Sequence, residues 1–138
     1  MAYWLLKSEP DAWSWEQQKT KGAKGEPWSG VRNYTAAKNM REMKKGDLGF
    51  FYHSGEERSI VGIVEVIGEY RPDPTDEKGR FGLVDVKAVR DMPKPVALQN
   101  IKANAKLKDM SLVKFSRLSV QPVTQAEWKL VCAMGGIK

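Results

Sequence analysis

The chain carries one cysteine, Cys132, and one histidine, His53, among its 138 residues. A disulfide framework within the chain is thereby excluded, and so is a zinc site of the usual Cys/His kind, which needs several such ligands. The reducing cytoplasm is the expected compartment. No apolar run approaches the roughly 18 residues that span a bilayer, so no membrane partner is expected. The opening "MAYWLLKSEPDAW" lacks the charged start, apolar middle and small-residue cleavage site of a secretory signal. Also missing are a G-x-S-x-G elbow, a P-loop and a G-x-G-x-x-G turn, which removes the common nucleophile and nucleotide motifs and leaves no cofactor to expect. Cys132 lies in "EWKLVCAM" among apolar residues, where a small buried side chain is the simple reading.

What is present is a 41% hydrophobic composition, enough for one globular domain over residues 1–138, and a net charge of +6. The charge points toward an anionic partner, with nucleic acid first among soluble candidates.

Along the chain, "YWLLK" reads as a short buried strand, and "KSEPDAWSWEQQ" turns into a helix capped at Asp11 or Ser14. "KTKGAKGEP" reads as a mobile loop, and "TAAKNMREMKKGD" as a second helix stopped near Gly46. "DLGFFYH", "SIVGIVEVIGEY" and "FGLVDVKAV" have the β-branched and aromatic content of strands. "RPDPTDEKGR" between two of them reads as a solvated hairpin connection without chemistry. "PVALQNIKANAKLKDMSL" predicts a short helix and turn leading to a strand over "VKFSRLSVQPV", with Pro122 at an edge. Thr124 and Glu127 form a capping-box pattern for a last helix that ends at Gly135. About five strands with flanking helices predict an α+β domain on a curved sheet that closes into a small barrel.

"WSGVRNY", Trp28 to Tyr34, is too polar for a buried strand and too aromatic for a spacer. With Trp13, Trp15 and Tyr52 it places aromatic rings at element ends, where they can line a cleft for a flat heterocycle; stacking on such rings contributes roughly 1–3 kcal/mol per base. Asn33, Ser54, Ser119 and Gln121 are the types that pair with a base edge without burying a charge. Either Trp13 or Trp15 is expected in the core, since residues two apart on a helix diverge in direction, and Trp4 and Trp128 are expected there as well. Lys102, Lys106, Lys108, Lys114 and Arg117, with Arg32 of the aromatic motif, are the candidate phosphate contacts. An enzyme would need His53 as its base, with Ser54 beside it, but neighbours on a strand point to opposite faces. A small hydrolase or base-modifying enzyme using His53 is one alternative reading, and a small-molecule or protein interaction module is another.

Four blocks carry a resemblance that runs nearly end to end: "YWLLKSEP", "WSGVRNYTAAKNMREMKKGD", "FFYHSGEERSIVGIVEV" and "LVKFSRLSVQPVTQAEW". In this order they resemble the EVE domain family. The resemblance implies a PUA-like fold, a twisted β-barrel of five to six strands flanked by helices and related to YTH domains. It also implies a non-enzymatic reader that accepts a modified base, such as a methylated or hydroxymethylated cytosine, in DNA or RNA. By that resemblance the pocket draws on Ser8, Trp15, Trp28, Val31, Asn33 and Tyr34. Tyr52, His53 and Ser54 form a second wall, and Leu118, Ser119 and Gln121 a third. The chain opens almost on its first motif, so a stand-alone bacterial member is expected, with a protein partner supplying any downstream activity.

Overall fold

The structure, a computed structural model, describes residues 1–137. Six strands form one mixed sheet: β1 (Tyr3–Ser8), β2 (Glu26–Pro27), β3 (Leu48–His53), β4 (Ser59–Pro72), β5 (Gly82–Ala97) and β6 (Val120–Val123). Their order is β2-β5-β4-β3-β1-β6, with β1 parallel to β3 and the other pairs antiparallel. Around the sheet lie α1 (Trp15–Thr20), α2 (Tyr34–Arg41), α3 (Leu98–Ala103), α4 (Ser111–Lys114) and α5 (Gln125–Met134).

The α+β expectation stands, and its one correction concerns closure. β2 and β6 terminate the order without pairing to each other among the described residues, so the sheet is open. Curvature comes from the two long strands, where register shifts recur along the β4–β5 ladder and bend it.

Strand alternation builds two cores, one on each face. On β1 and β3, Trp4, Leu6 and Phe51 enter a core with Trp15, Trp28, Val31 and Met40, while Leu5, Phe50 and Tyr52 enter the other with Ile101, Leu112 and Trp128. In the second core Trp128 stacks on both Tyr3 and Phe50, at centroid distances of 4.5 and 3.9 Å, and Cys132 is buried beside them. Trp4 reaches the first core with its indole N–H donating to the buried Asp47 at 3.0 Å.

Local signals set the helix starts. Ser14 accepts from the Gln17 N–H in a capping box, and Thr124 does the same with Glu127. Several predicted boundaries differ: α2 ends at Arg41 rather than near Gly46, and β5 runs on to Ala97, past the expected strand and into the segment read as a helix and turn. "KTKGAKGEP" is not a free loop: Gly22–Lys24 makes a 3₁₀ turn and β2 adds to the sheet beside Val86 and Asp85. The last strand starts only at Val120, because α4 takes up Val113 and Lys114 and residues 115–119 form a turn. As expected, Pro122 sits on an edge strand.

Candidate functional site

A cleft of about 480 Å³ opens beside the carboxyl end of β1. Trp13, Pro27, Trp28 and Val31 supply its apolar surface, and Ser8, Ser29 and Ser119 its hydroxyls. The volume is within the range of about 300–1,000 Å³ typical of small-molecule sites.

Each wall is held in place from behind. Trp28 is 8% exposed, meets Phe51 edge-on at 5.6 Å, and has its N–H donated to the Val84 carbonyl. Trp13 is aimed by Gln18, which is wholly buried: Gln18 Oε1 accepts from the indole N–H at 2.9 Å, and its amide nitrogen donates to the Val86 carbonyl. The Ser8 hydroxyl donates to the Trp13 carbonyl at 2.5 Å and ties the end of β1 to the same turn.

The loop that carries Trp28 to Arg32 rests on Asp73, which is 2% exposed. One Asp73 oxygen accepts from the Gly30 N–H at 2.8 Å and the Arg32 guanidinium at 3.2 Å; the other accepts from the Thr75 N–H and hydroxyl. Gly30 has φ +84°, a left-handed conformation that glycine adopts freely, and it turns its N–H toward the carboxylate. Burial alone pushes the Asp73 carboxyl up, but hydrogen bonds from the Thr75 hydroxyl, the Gly30 and Thr75 N–H groups and Arg32 outweigh it and hold the group at about 2.

Of the residues singled out in the sequence, this cleft gathers Ser8, Trp13, Trp28, Val31 and Ser119, and Arg32 lines it too. Trp15 is elsewhere. It is 4% exposed, packs on Phe51 and directly against Gly62, and donates its indole N–H to Asp91 at 2.7 Å. Trp13 is the indole at the cleft, so of the two residues the core took Trp15. Arg32 is committed to Asp73 and Thr75 and serves as part of the loop's frame.

The expected second wall also divides. His53 lies under α1: its Nε2 accepts from the Trp15 N–H at 2.9 Å, and its Nδ1 is bonded to Glu57. Both ring nitrogens are occupied and neither faces the cleft. Tyr52 points into the second core, and Ser54 lines a different hollow. Neighbouring side chains on β3 alternate, which is why three consecutive residues could not form one wall.

Asn33 caps α2, its Oδ1 accepting from the Ala36 N–H at 2.9 Å. Asn33 and Leu118 line an adjoining hollow with Thr35, Phe115 and Arg117. Tyr34, 62% exposed, lies on Phe81 at 4.9 Å between ring centroids. Gln121 is fully buried and donates to the Phe115 and Leu118 carbonyls at 3.0 and 2.9 Å, shaping the turn from beneath.

Trp13 stands among the rings expected at a cleft but outside the residues the resemblance assigns to the pocket, while Ser29 and, above all, Asp73 carry no such expectation. Asp73 lies inside "RPDPTDEKGR", a stretch that reads as solvated hairpin surface. The signal available was an Asx-turn pattern, Asp-Pro-Thr, which here closes on Thr75 while the second oxygen reaches across to Gly30.

The EVE domain model matches residues 2–134. The chain belongs to the EVE domain family. Its fold superposes on protein Atu2648 from Agrobacterium tumefaciens at TM-score 0.96 and 58% identity, covering 99% of this chain and 94% of that one. Human THYN1, whose structure holds 5-methylcytosine-containing DNA, superposes at TM-score 0.93 and 32% identity, covering 100% and 99%. The YTH domain of Zygosaccharomyces rouxii MRB1, solved with N6-methyladenosine RNA, is similar in fold alone, at 18% identity and TM-score 0.61 over 99% and 85% of the two chains. The fold is PUA-like, shared with human THYN1, and its sheet is open at β2 and β6 among the described residues. No helix among the described residues is long and apolar enough to cross a membrane.

Proposed function

We propose that this EVE domain binds nucleic acid bearing a modified base and takes one unpaired or flipped base into the cleft of Trp13, Trp28 and Val31. One observation carries the reading: the "WSGVRNY" motif forms an open, indole-walled cleft whose loop is locked on a buried carboxylate. That human THYN1 was solved with 5-methylcytosine-containing DNA supports the same reading. A site that must discriminate by shape gains from rigid walls, since their ordering does not have to be paid on binding.

In this reading the indoles cover the base, and the hydroxyls of Ser8, Ser29 and Ser119 meet its edge. Lys106, Lys108, Lys114 and Arg117, with Lys102, attract phosphates. The role is binding, not turnover. The chain works as one unit over residues 1–138, and the lack of disulfide chemistry suits a cytoplasmic setting.

A methyl group in an apolar niche is worth about 1 kcal/mol, so selectivity for the modified base should be only about five-fold. Fluorescence titration with paired modified and unmodified oligonucleotides tests the assignment. Trp28→Ala should weaken binding to the modified strand more than to the unmodified one, whereas Lys106→Ala should weaken both alike and flatten the salt dependence. Equal losses from the two substitutions would remove the cleft from the account.

A further inference from the structure

A second hollow, of about 280 Å³, opens on the side of β1 that faces the second core. Lys7, Arg58 and Lys102 converge on it, together with the hydroxyl-bearing Tyr52, Ser54 and Ser116, and no carboxylate lines it. Lys7 is fixed there: its ammonium donates to the Ser116 carbonyl at 2.6 Å and lies 5.7 Å from the Tyr52 ring centre. Burial lowers its pKa, because desolvation disfavours the charged ammonium. Arg58 has φ +46°, an uncommon conformation for a residue with a side chain, and is held in it by the bond from Leu98 N–H to its carbonyl and by its own Nε donating to Gly55.

None of the three cations has a carboxylate within ion-pair distance among the described residues. Glu56 and Glu57 line a neighbouring hollow that shares Arg58 and Lys102, and Glu57 is bonded to His53. Three like charges gathered over a low-dielectric core repel one another, and an oxyanion among them relieves that repulsion while accepting from the hydroxyls.

We propose that this hollow is a phosphate seat, with Lys7, Arg58 and Lys102 as its charges and Ser54 and Ser116 as donors. The source we assign is a backbone phosphate of the strand whose base occupies the main cleft, because Lys7 lines both hollows. The choice of source rests on the function proposed above; the seat itself does not.

Two arms test it with Arg58→Gly, which relieves the positive φ, and Lys102→Gln. In the first, inorganic phosphate is titrated into ¹⁵N-labelled protein against matched chloride; the Ser54, Gly55 and Arg58 amides should shift in the wild type, and the Ser54 and Gly55 shifts should shrink in both variants. In the second, oligonucleotide affinity is followed against salt; each variant should lower the log–log slope by about 0.7–0.9 and leave the preference for the modified base unchanged. Phosphate shifts with an unaltered slope would overturn the polymer as the source and assign the seat to a free phosphate. Absence of both effects would overturn the seat, and a Trp28→Ala loss of base preference in the same titrations would show that the reader function survives it. Phosphate shifts in a protein that binds no oligonucleotide would retain the seat and remove the reader.

Discussion

Two irregular segments flank the main cleft, and each hangs on one buried polar side chain. Residues 28–32 hang on Asp73, a carboxylate whose two oxygens are both engaged. Residues 115–119 hang on Gln121, whose nitrogen donates to two carbonyls while its Oε1 has no partner among the described residues. The first clamp is charged and fully satisfied; the second is neutral and half-satisfied. A buried group with all its bonds made specifies one geometry strongly, whereas an orphaned acceptor offsets part of what its partner nitrogen contributes. The cleft therefore has a rigid wall bearing Trp28 and a softer rim near Ser119, and this difference can be broken by substitution.

The largest effect belongs to Asp73→Ala. It leaves the Gly30 N–H and the Arg32 guanidinium without their acceptor, and the expected cost is about 3 kcal/mol, read as a fall in Tm or in the urea midpoint. Acid should act on the same clamp. The Asp73 pKa is depressed in the folded protein, so its contribution is present above the ordinary carboxylate value of 3.8 and is lost as pH falls toward about 2. That contribution amounts to at most about 2 kcal/mol. Stability measured from pH 5 to pH 2 should fall less steeply in Asp73→Asn than in the wild type.

Gln121→Met comes next. It removes two hydrogen bonds and the orphaned oxygen together, and the net loss should be about 1 kcal/mol, clearly below that of Asp73→Ala in the same denaturation series. Phe115→Ala should be the mildest. Its ring is 57% exposed while its backbone stays anchored from both sides, so stability should move by no more than about 0.5 kcal/mol.

The same contrast shows what the sequence made legible. Trp28 and Ser119 could be named because aromatic and hydroxyl residues stand there at element ends, Ser8 and Val31 only through the family resemblance, and of the helix caps Thr124 follows from its spacing to Glu127 while Ser14 was one of two candidates. Trp15 and Trp13 could not be assigned in advance. Both are tryptophans two residues apart, and Trp15 settles against Gly62, where any Cβ would collide with its indole, on a strand nearly fifty residues away. Asp73 was hidden for a similar reason: nothing within a solvated hairpin reveals that its second oxygen will meet Gly30. Local patterns specify elements and caps, while long-range partners decide which of two equivalent side chains reaches the site.

The most direct measurement is a pair of titrations, with a 5-methylcytosine oligonucleotide and its unmodified twin, on the wild type, Trp13→Ala and Trp28→Ala. An indole-walled cleft that encloses the base predicts a modest preference for the methylated strand in the wild type and its disappearance in both variants, with residual salt-dependent binding to either strand. Retention of the full preference by both folded variants would contradict it.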